Sequence, residues 1–160
     1  MTYTVKQKIL ALNTTYNVLD ENGENVYKIK RNWMLSWRYS LRDANKNVLM
    51  ELRKRPFHLF PTFDIAKDDQ VIATIKARFR IFESRFDVMT RDGGLIGVDG
   101  NVWAHDYYIT KDGAQIAHIY KKFIAVRDTY LVDVYDDNYA LLALCLSAVA
   151  DLVHHEEDNS

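Results

Sequence analysis

The segment Tyr139 to Val153, YALLALCLSAVADLV, is apolar around its whole circumference, in a chain whose other segments mostly alternate polar and apolar residues. Alanine and leucine dominate it, and both favour helix. Asp136, Asp137 and Asn138 precede it, offering N-cap oxygens and negative charge at the positive end of a helix. His154 and His155 follow it. A helix with no polar face belongs either in a bilayer or in a protein core. The run is 15 residues long and Asp151 interrupts it. At 1.5 Å per residue it spans about 22 Å, whereas a hydrocarbon core about 30 Å thick calls for about 20 residues. A buried core helix is therefore expected.

The rest of the chain explains what such a helix packs into. Aromatic residues at Tyr16, Tyr39, Phe63, Phe86, Tyr107 and Tyr130 recur at spacings of 23, 24, 23, 21 and 23. Each opens a similar phrase: an alternating run, a polar turn, and a second alternating run. YNVLDENGENVYKIKR, YSLRDANKNVLMELRKR, FDIAKDDQVIATIKAR and YYITKDGAQIAHIYKK are the clearest copies, and FDVMTRDGGLIGVDG is a degraded one. Asn22-Gly23, Asp92-Gly93 and Asp112-Gly113 tolerate the positive φ of hairpin turns. In VIATIKARF, Val71, Ala73, Ile75, Ala77 and Phe79 share one face of a half-buried strand. Strands are expected near 3–10, 15–20, 24–30, 36–43, 47–54, 61–67, 70–78, 84–90, 93–98, 104–111, 114–121 and 128–135. Pro56 and Pro61 both fall between strands, where proline is tolerated.

About twelve strands followed by one apolar helix suggest a mostly β fold, a closed antiparallel barrel around a buried C-terminal helix. An eight-stranded barrel is already filled by side chains, so a twelve-stranded one has room for a helix about 10–12 Å across. The 160 residues suit one domain. It is expected over 1–155, with 156–160 (EEDNS) as a disordered acidic tail. The lone Cys145 has no internal disulfide partner and reads as a buried small hydrophobe. The opening MTYTVKQKILAL lacks the apolar core of a signal peptide, so a cytoplasmic protein is expected.

The segments YTVKQKIL, NVWAHDYYI, KKFIAVRDTYLVDV and LLALCLSAVADLVHH, with the hairpin repeat between them, resemble the LURP-one-related family of the tubby-like barrel superfamily, especially its short bacterial members. The resemblance covers nearly the whole chain. It implies a closed antiparallel barrel around the terminal helix, and little about activity. The wider superfamily includes phosphoinositide-binding tubby domains and phospholipid scramblases that act at membranes. No tubby lipid-binding residue is carried over to a position in this sequence. A Cys-rich palmitoylation segment, an acidic calcium loop and a long terminal span are missing, so the resemblance does not extend to scrambling.

Catalytic and metal-binding patterns are sparse. The histidines are His58, His105, His118, His154 and His155, and no HExxH or paired-Cys motif occurs. His154 and His155 are adjacent, so their side chains diverge by about 100° on a helix, and they read as solvated helix-end residues. His118 reads as a surface strand residue. DENGEN and DANKN resemble the start of a calcium loop, but the twelfth position, counted from Asp20 and from Asp43, is Arg31 and Lys54 rather than glutamate. No GxSxG occurs and RDGGLIGVDG lies between strands. No enzyme activity, cofactor or metal is expected.

The remaining signal is charge. The net charge is −1, which leaves no global field to draw in nucleic acid. In an up-and-down barrel, however, the tight turns gather acids at one rim, Asp20, Glu21, Glu24, Asp43, Asp68, Asp69, Asp92 and Asp112, with Lys46, Lys67, Arg91 and Lys111 as partial balance. The other rim is expected to collect Lys30, Arg31, Arg53, Lys54, Arg55, Lys76, Arg78, Arg80, Lys121 and Lys122, with aromatics nearby: Trp33, Trp37, Phe57, Phe60, Phe79, Phe82 and Phe123. Cationic side chains each contribute about 1 kcal/mol at an anionic membrane surface, and tryptophan favours the interface. The expected role is a non-enzymatic binding or scaffold barrel at anionic phospholipid or phosphoinositide head groups, monomeric and peripheral to the membrane. The alternatives are a protein-interaction module, with the basic residues serving solubility, and a small-ligand carrier.

Overall fold

The computed structural model describes residues 1–10, 13–35, 37–80, 83–121 and 129–158, with backbone alone at 9, 10, 13, 79, 80, 83–85 and 156–158. The twelve expected strands are all present. They are β1 (Thr2–Leu10), β2 (Asn13–Leu19), β3 (Asn25–Arg31), β4 (Arg38–Asp43), β5 (Val48–Lys54) and β6 (Thr62–Lys67), then β7 (Gln70–Arg80), β8 (Glu83–Thr90), β9 (Leu95–Asn101), β10 (Asp106–Lys111), β11 (Ala114–Tyr120) and β12 (Thr129–Val134). Each pairs antiparallel with the next, and β12 pairs with β1 to close the barrel. Closure leaves no outer edge strand to recruit another chain. The weakest seam lies between β8 and β9, which share only Val88–Ile96 and Met89–Leu95.

Alternation sets which residues enter the lumen. Ile29, Leu41, Leu52, Ile65, Ile75, Ile109 and Ile119 are buried, while their strand neighbours Lys28, Lys30, Arg42, Arg53 and Lys76 face outward. The acidic rim has a local cause. Asp20 accepts from the backbone N–H of Asn22 and Glu24, Asp43 from that of Asn47, and Asp112 from that of Leu95. Asp68, Asp69 and Asp112 themselves adopt positive φ. Aspartate tolerates that conformation and can hydrogen-bond nearby backbone, so turn chemistry alone places acids at this end.

The chain enters its helix from the acidic rim. Asp136 caps a 3-10 turn (Asp137–Tyr139) by accepting from the Asn138 N–H, and α1 (Ala140–Asp158) follows. The helix backbone continues three residues into the segment expected as an acidic tail. At 19 residues α1 is long and apolar enough to cross a bilayer by length and composition alone. Its surroundings decide otherwise. Ala143, Leu144, Cys145, Ala148, Val149 and Val153 are fully buried. Polar and sulfur contacts reach it from all around the ring: Tyr16 on β2, Met50 on β5, His105 after β9 and Tyr130 on β12. The helix fills the lumen.

The six repeat aromatics have one shared role. They stand on β2, β4, β6, β8, β10 and β12, and all are buried, forming a belt on the inner wall.

Candidate functional site

The second rim carries the longer connections. The loop after β3 is shaped by Asn32, whose Oδ1 accepts from the N–H of Met34 and Leu35, and by an Arg38 N–H to Leu35 O bond of 2.9 Å. The loop after β5 is tied down by Arg55 N–H to Thr62 O at 2.8 Å and by Thr62 Oγ1 to Phe60 O at 3.0 Å. A bond of 2.7 Å from Lys54 N–H to Trp37 O joins the two. These organised loops hold their apolar side chains out in solvent. Trp33 is 83% exposed, Met34 70%, Leu59 90%, and Phe57 is fully exposed. Phe57 also has φ of +61°, a region that costs a side chain with a Cβ about 1–2 kcal/mol.

Between these loops and the end of α1 lies a cleft of about 770 Å³. Arg31, Lys54, Arg55, His58 and His155 line it, together with Trp37, Tyr39, Phe57, Leu152 and Thr14. Among the described residues its lining contains no carboxylate and no cysteine. A second, smaller recess of about 290 Å³ lies between β3 and β4, lined by Lys28, Lys30, Arg42, Asp43 and Lys46 among others.

Behind the cleft a polar network enters the lumen. His155 Nε2–H donates to Gln7 Oε1 at 2.7 Å, and Gln7 Nε2 donates to the Tyr16 hydroxyl at 3.3 Å. That hydroxyl donates to Asp151 Oδ2 at 3.0 Å, while His105 Nε2 lies 3.1 Å from Asp151 Oδ1. A carboxylate only accepts, so His105 carries its proton on Nε2. Burial, reinforced by the Asp151 charge, pushes the hydroxyls of Tyr16, Tyr107 and Tyr130 well above the ordinary tyrosine range. Burial likewise pushes the Cys145 thiol up to about 12, leaving it inert.

The structure sorts the expected basic set into groups. Arg31, Lys54 and Arg55 converge on the cleft. Arg55 does so while forming a two-pronged pair with Asp64, both contacts at 2.8 Å. Burial opposes ionisation of Asp64, but hydrogen bonds from Arg55 and Thr74 outweigh it and hold the carboxyl below its usual value. Lys30, Arg53, Lys76 and Arg78 lie on the outer wall instead. Arg53 bridges Glu51 and Asp69, the latter in a tight turn of the acidic rim, and Arg78 pairs with Asp87. Lys76 sits 5.7 Å over the Phe60 ring. Lys121 is exposed, and its backbone N–H bonds His105 O at 3.1 Å. The Arg80 side chain and all of Lys122 lie outside the described residues.

The histidines depart from their sequence reading. His154 and His155 are half-buried rather than fully solvated, His154 packing on Trp103 and His155 bonding Gln7. His118 is on the outer face as expected, stacked on Tyr108 and Tyr120. His105 and Asp151 as a buried pair were not foreseen. The available signal was a lone carboxylate in an apolar helix, one turn before a histidine.

A family model described as LURP-one-related matches residues 1–151. The chain belongs to the LURP-one-related family. Among its relatives is the uncharacterised protein YxjI of Bacillus subtilis (strain 168), 20% identical over 159 residues, which are 98% of this chain and 96% of the relative. An X-ray structure of a protein from Arabidopsis thaliana superposes with a TM-score of 0.65 at 16% identity, covering 94% of this chain and 91% of that one. That likeness shows the fold. The LURP-one-related barrel therefore has a fold already seen in a solved structure.

Proposed function

We propose that this LURP-one-related barrel is a non-catalytic binding module that docks on anionic phospholipid surfaces through the loop rim. The carrying observation is the β5–β6 loop. It holds a fully exposed phenylalanine in a backbone conformation that disfavours it, and no burial within the chain offsets that cost. A side chain held out at such a cost suits a surface it enters elsewhere. Trp33, Met34 and Leu59 add apolar area nearby, and Arg31 and Lys54 bring positive charge to the cleft beneath. Apolar tips with cations behind them match the layering of a membrane interface, where rings sit at head-group level and cations face the phosphates. The helix occupies the lumen, which argues against a carrier role for the barrel interior.

Co-sedimentation with neutral and with anionic vesicles across a salt series tests this. Binding to anionic vesicles at low salt is expected, weakening as salt rises. Arg31→Gln with Lys54→Gln should weaken it about thirtyfold, two cationic charges lost at about 1 kcal/mol each. Equal indifference to both vesicle types at low salt would refute the reading and direct attention to a protein partner for the same apolar surface.

A further inference from the structure

The acidic rim holds a cavity that membrane docking at the opposite end does not use. It occupies about 620 Å³ at the barrel mouth, where the chain enters its helix. Of the four cations that partly balance this rim, three line it: Lys67 at the end of β6, Arg91 after β8 and Lys111 at the end of β10. Met50, Ile72, Ile96 and Leu142 give it apolar walls. The cavity opens where the barrel is least closely joined, since β8 and β9 share two residue pairs and one of them is Val88–Ile96. From this geometry we propose that the cavity binds a small amphipathic monocarboxylate, with its head group between Lys67 and Arg91 and its hydrocarbon body against the four apolar side chains. The site is at the far end of the barrel from the loop rim, so it stands or falls independently of the membrane reading.

The charges select the head group. Lys111 is held by Asp112 at 2.6 Å and lies 4.0 Å from Asp92, so its charge is answered within the rim. Lys67 and Arg91 differ. Among the described residues the Lys67 side chain makes no hydrogen bond or ion pair, and the Arg91 side chain bonds only the neutral Gln70. Gln70 joins the two: it pairs with Lys67 in the β6–β7 register and accepts from Arg91 Nη1 through Oε1. Its amide nitrogen has no acceptor among the described residues, which makes it a third donor. Charge-assisted donors suit a carboxylate, and the planar guanidinium fork matches its two oxygens. The same end of the barrel carries Asp68, Asp92, Asp112 and Asp137, so a group with more than one negative charge is opposed.

The walls select the rest of the ligand. Met50, Ile96 and Leu142 are buried in the core and Ile72 is half-buried. They stand on β5, β9, α1 and β7, so regular elements fix them in place. A bare inorganic anion would leave these walls to water, whereas a hydrocarbon body covers them.

Calorimetric titration with octanoate, kept below its micelle concentration, tests the proposal. One site per chain is expected. Affinity should fall about fourfold for each methylene removed, read with heptanoate and hexanoate. Octanol keeps the body and loses the charge, and should bind about tenfold weaker. Lys67→Gln with Arg91→Gln, both at exposed positions, should weaken octanoate about tenfold and leave octanol unchanged. Trp33→Ala with Phe57→Gly should lose vesicle binding and keep octanoate, so this proposal and the membrane reading fail separately. No octanoate binding at millimolar concentration would overturn the proposal, as would equal affinity for octanol. So would octanoate binding that is indifferent to the Lys67 and Arg91 substitutions, or that is lost in the Trp33 and Phe57 variant.

Discussion

Asp151 is the residue around which the lower lumen is organised. It is buried on a largely apolar helix, and three phenols of the aromatic belt have hydroxyls that burial, reinforced by its charge, holds protonated. The belt was legible in the sequence as a spacing of about 23 residues between aromatics, because a barrel of similar hairpins returns to the same height once per repeat. That three of its members are tyrosines facing one carboxylate was not legible, since the helix must be docked before anything specifies which residues meet it. Their burial has a consequence for stability. Tyr16, Tyr107 and Tyr130 have folded pKa values raised above the unfolded value near 10. Their contribution is complete below about pH 10 and is lost as pH rises beyond it, because only the unfolded chain releases the protons. Stability should fall by about 1.4 kcal/mol per pH unit per tyrosine, about 4 kcal/mol for the three. Urea unfolding at pH 9, 10 and 11 measures this. A flat profile would mean that the phenols are not held in the barrel as described.

At the scale of elements, hairpins and helix announce themselves, whereas the loops of the second rim do not. Period-two runs and turn residues mark all twelve strands, and the unbroken apolar run marks α1. Length alone does not exclude a membrane span, since α1 extends to Asp158. The ring of strands around the helix is what places it in the core. Cleft and loops depend on backbone conformations that no local pattern encodes, such as the positive φ of Phe57. That residue gives a sharp test of whether the β5–β6 loop is shaped for binding. Phe57→Gly removes the backbone penalty and should raise stability by about 1 kcal/mol, while weakening association with anionic vesicles. Denaturant midpoints and co-sedimentation read the two effects separately. A glycine variant that binds vesicles as well as the parent would show that the ring is a bystander.

At the scale of the whole molecule, the barrel is electrically two-ended despite a net charge of −1. The acidic end follows from turn chemistry, as the hydrogen bonds of Asp20, Asp43 and Asp112 show. The basic end is narrower than the strand pattern suggested. Strand tilt carries Arg53 to a partner in the opposite turns, and Arg78 is paired on the wall. Tilt is a property of barrel closure and cannot be read from any one strand, so the sequence could name the cations without saying which converge. What converges is Arg31, Lys54 and Arg55 at the cleft, beneath Trp33, Met34, Phe57 and Leu59. On the proposed reading, this end meets the membrane. Trp37→Phe with Trp103→Phe leaves Trp33 as the sole tryptophan, and its fluorescence can be followed with anionic vesicles whose acyl chains carry bromine. A blue shift and strong quenching are expected as Trp33 enters the interface. Emission that stays that of a water-exposed indole, unquenched while the protein is vesicle-bound, would contradict the account.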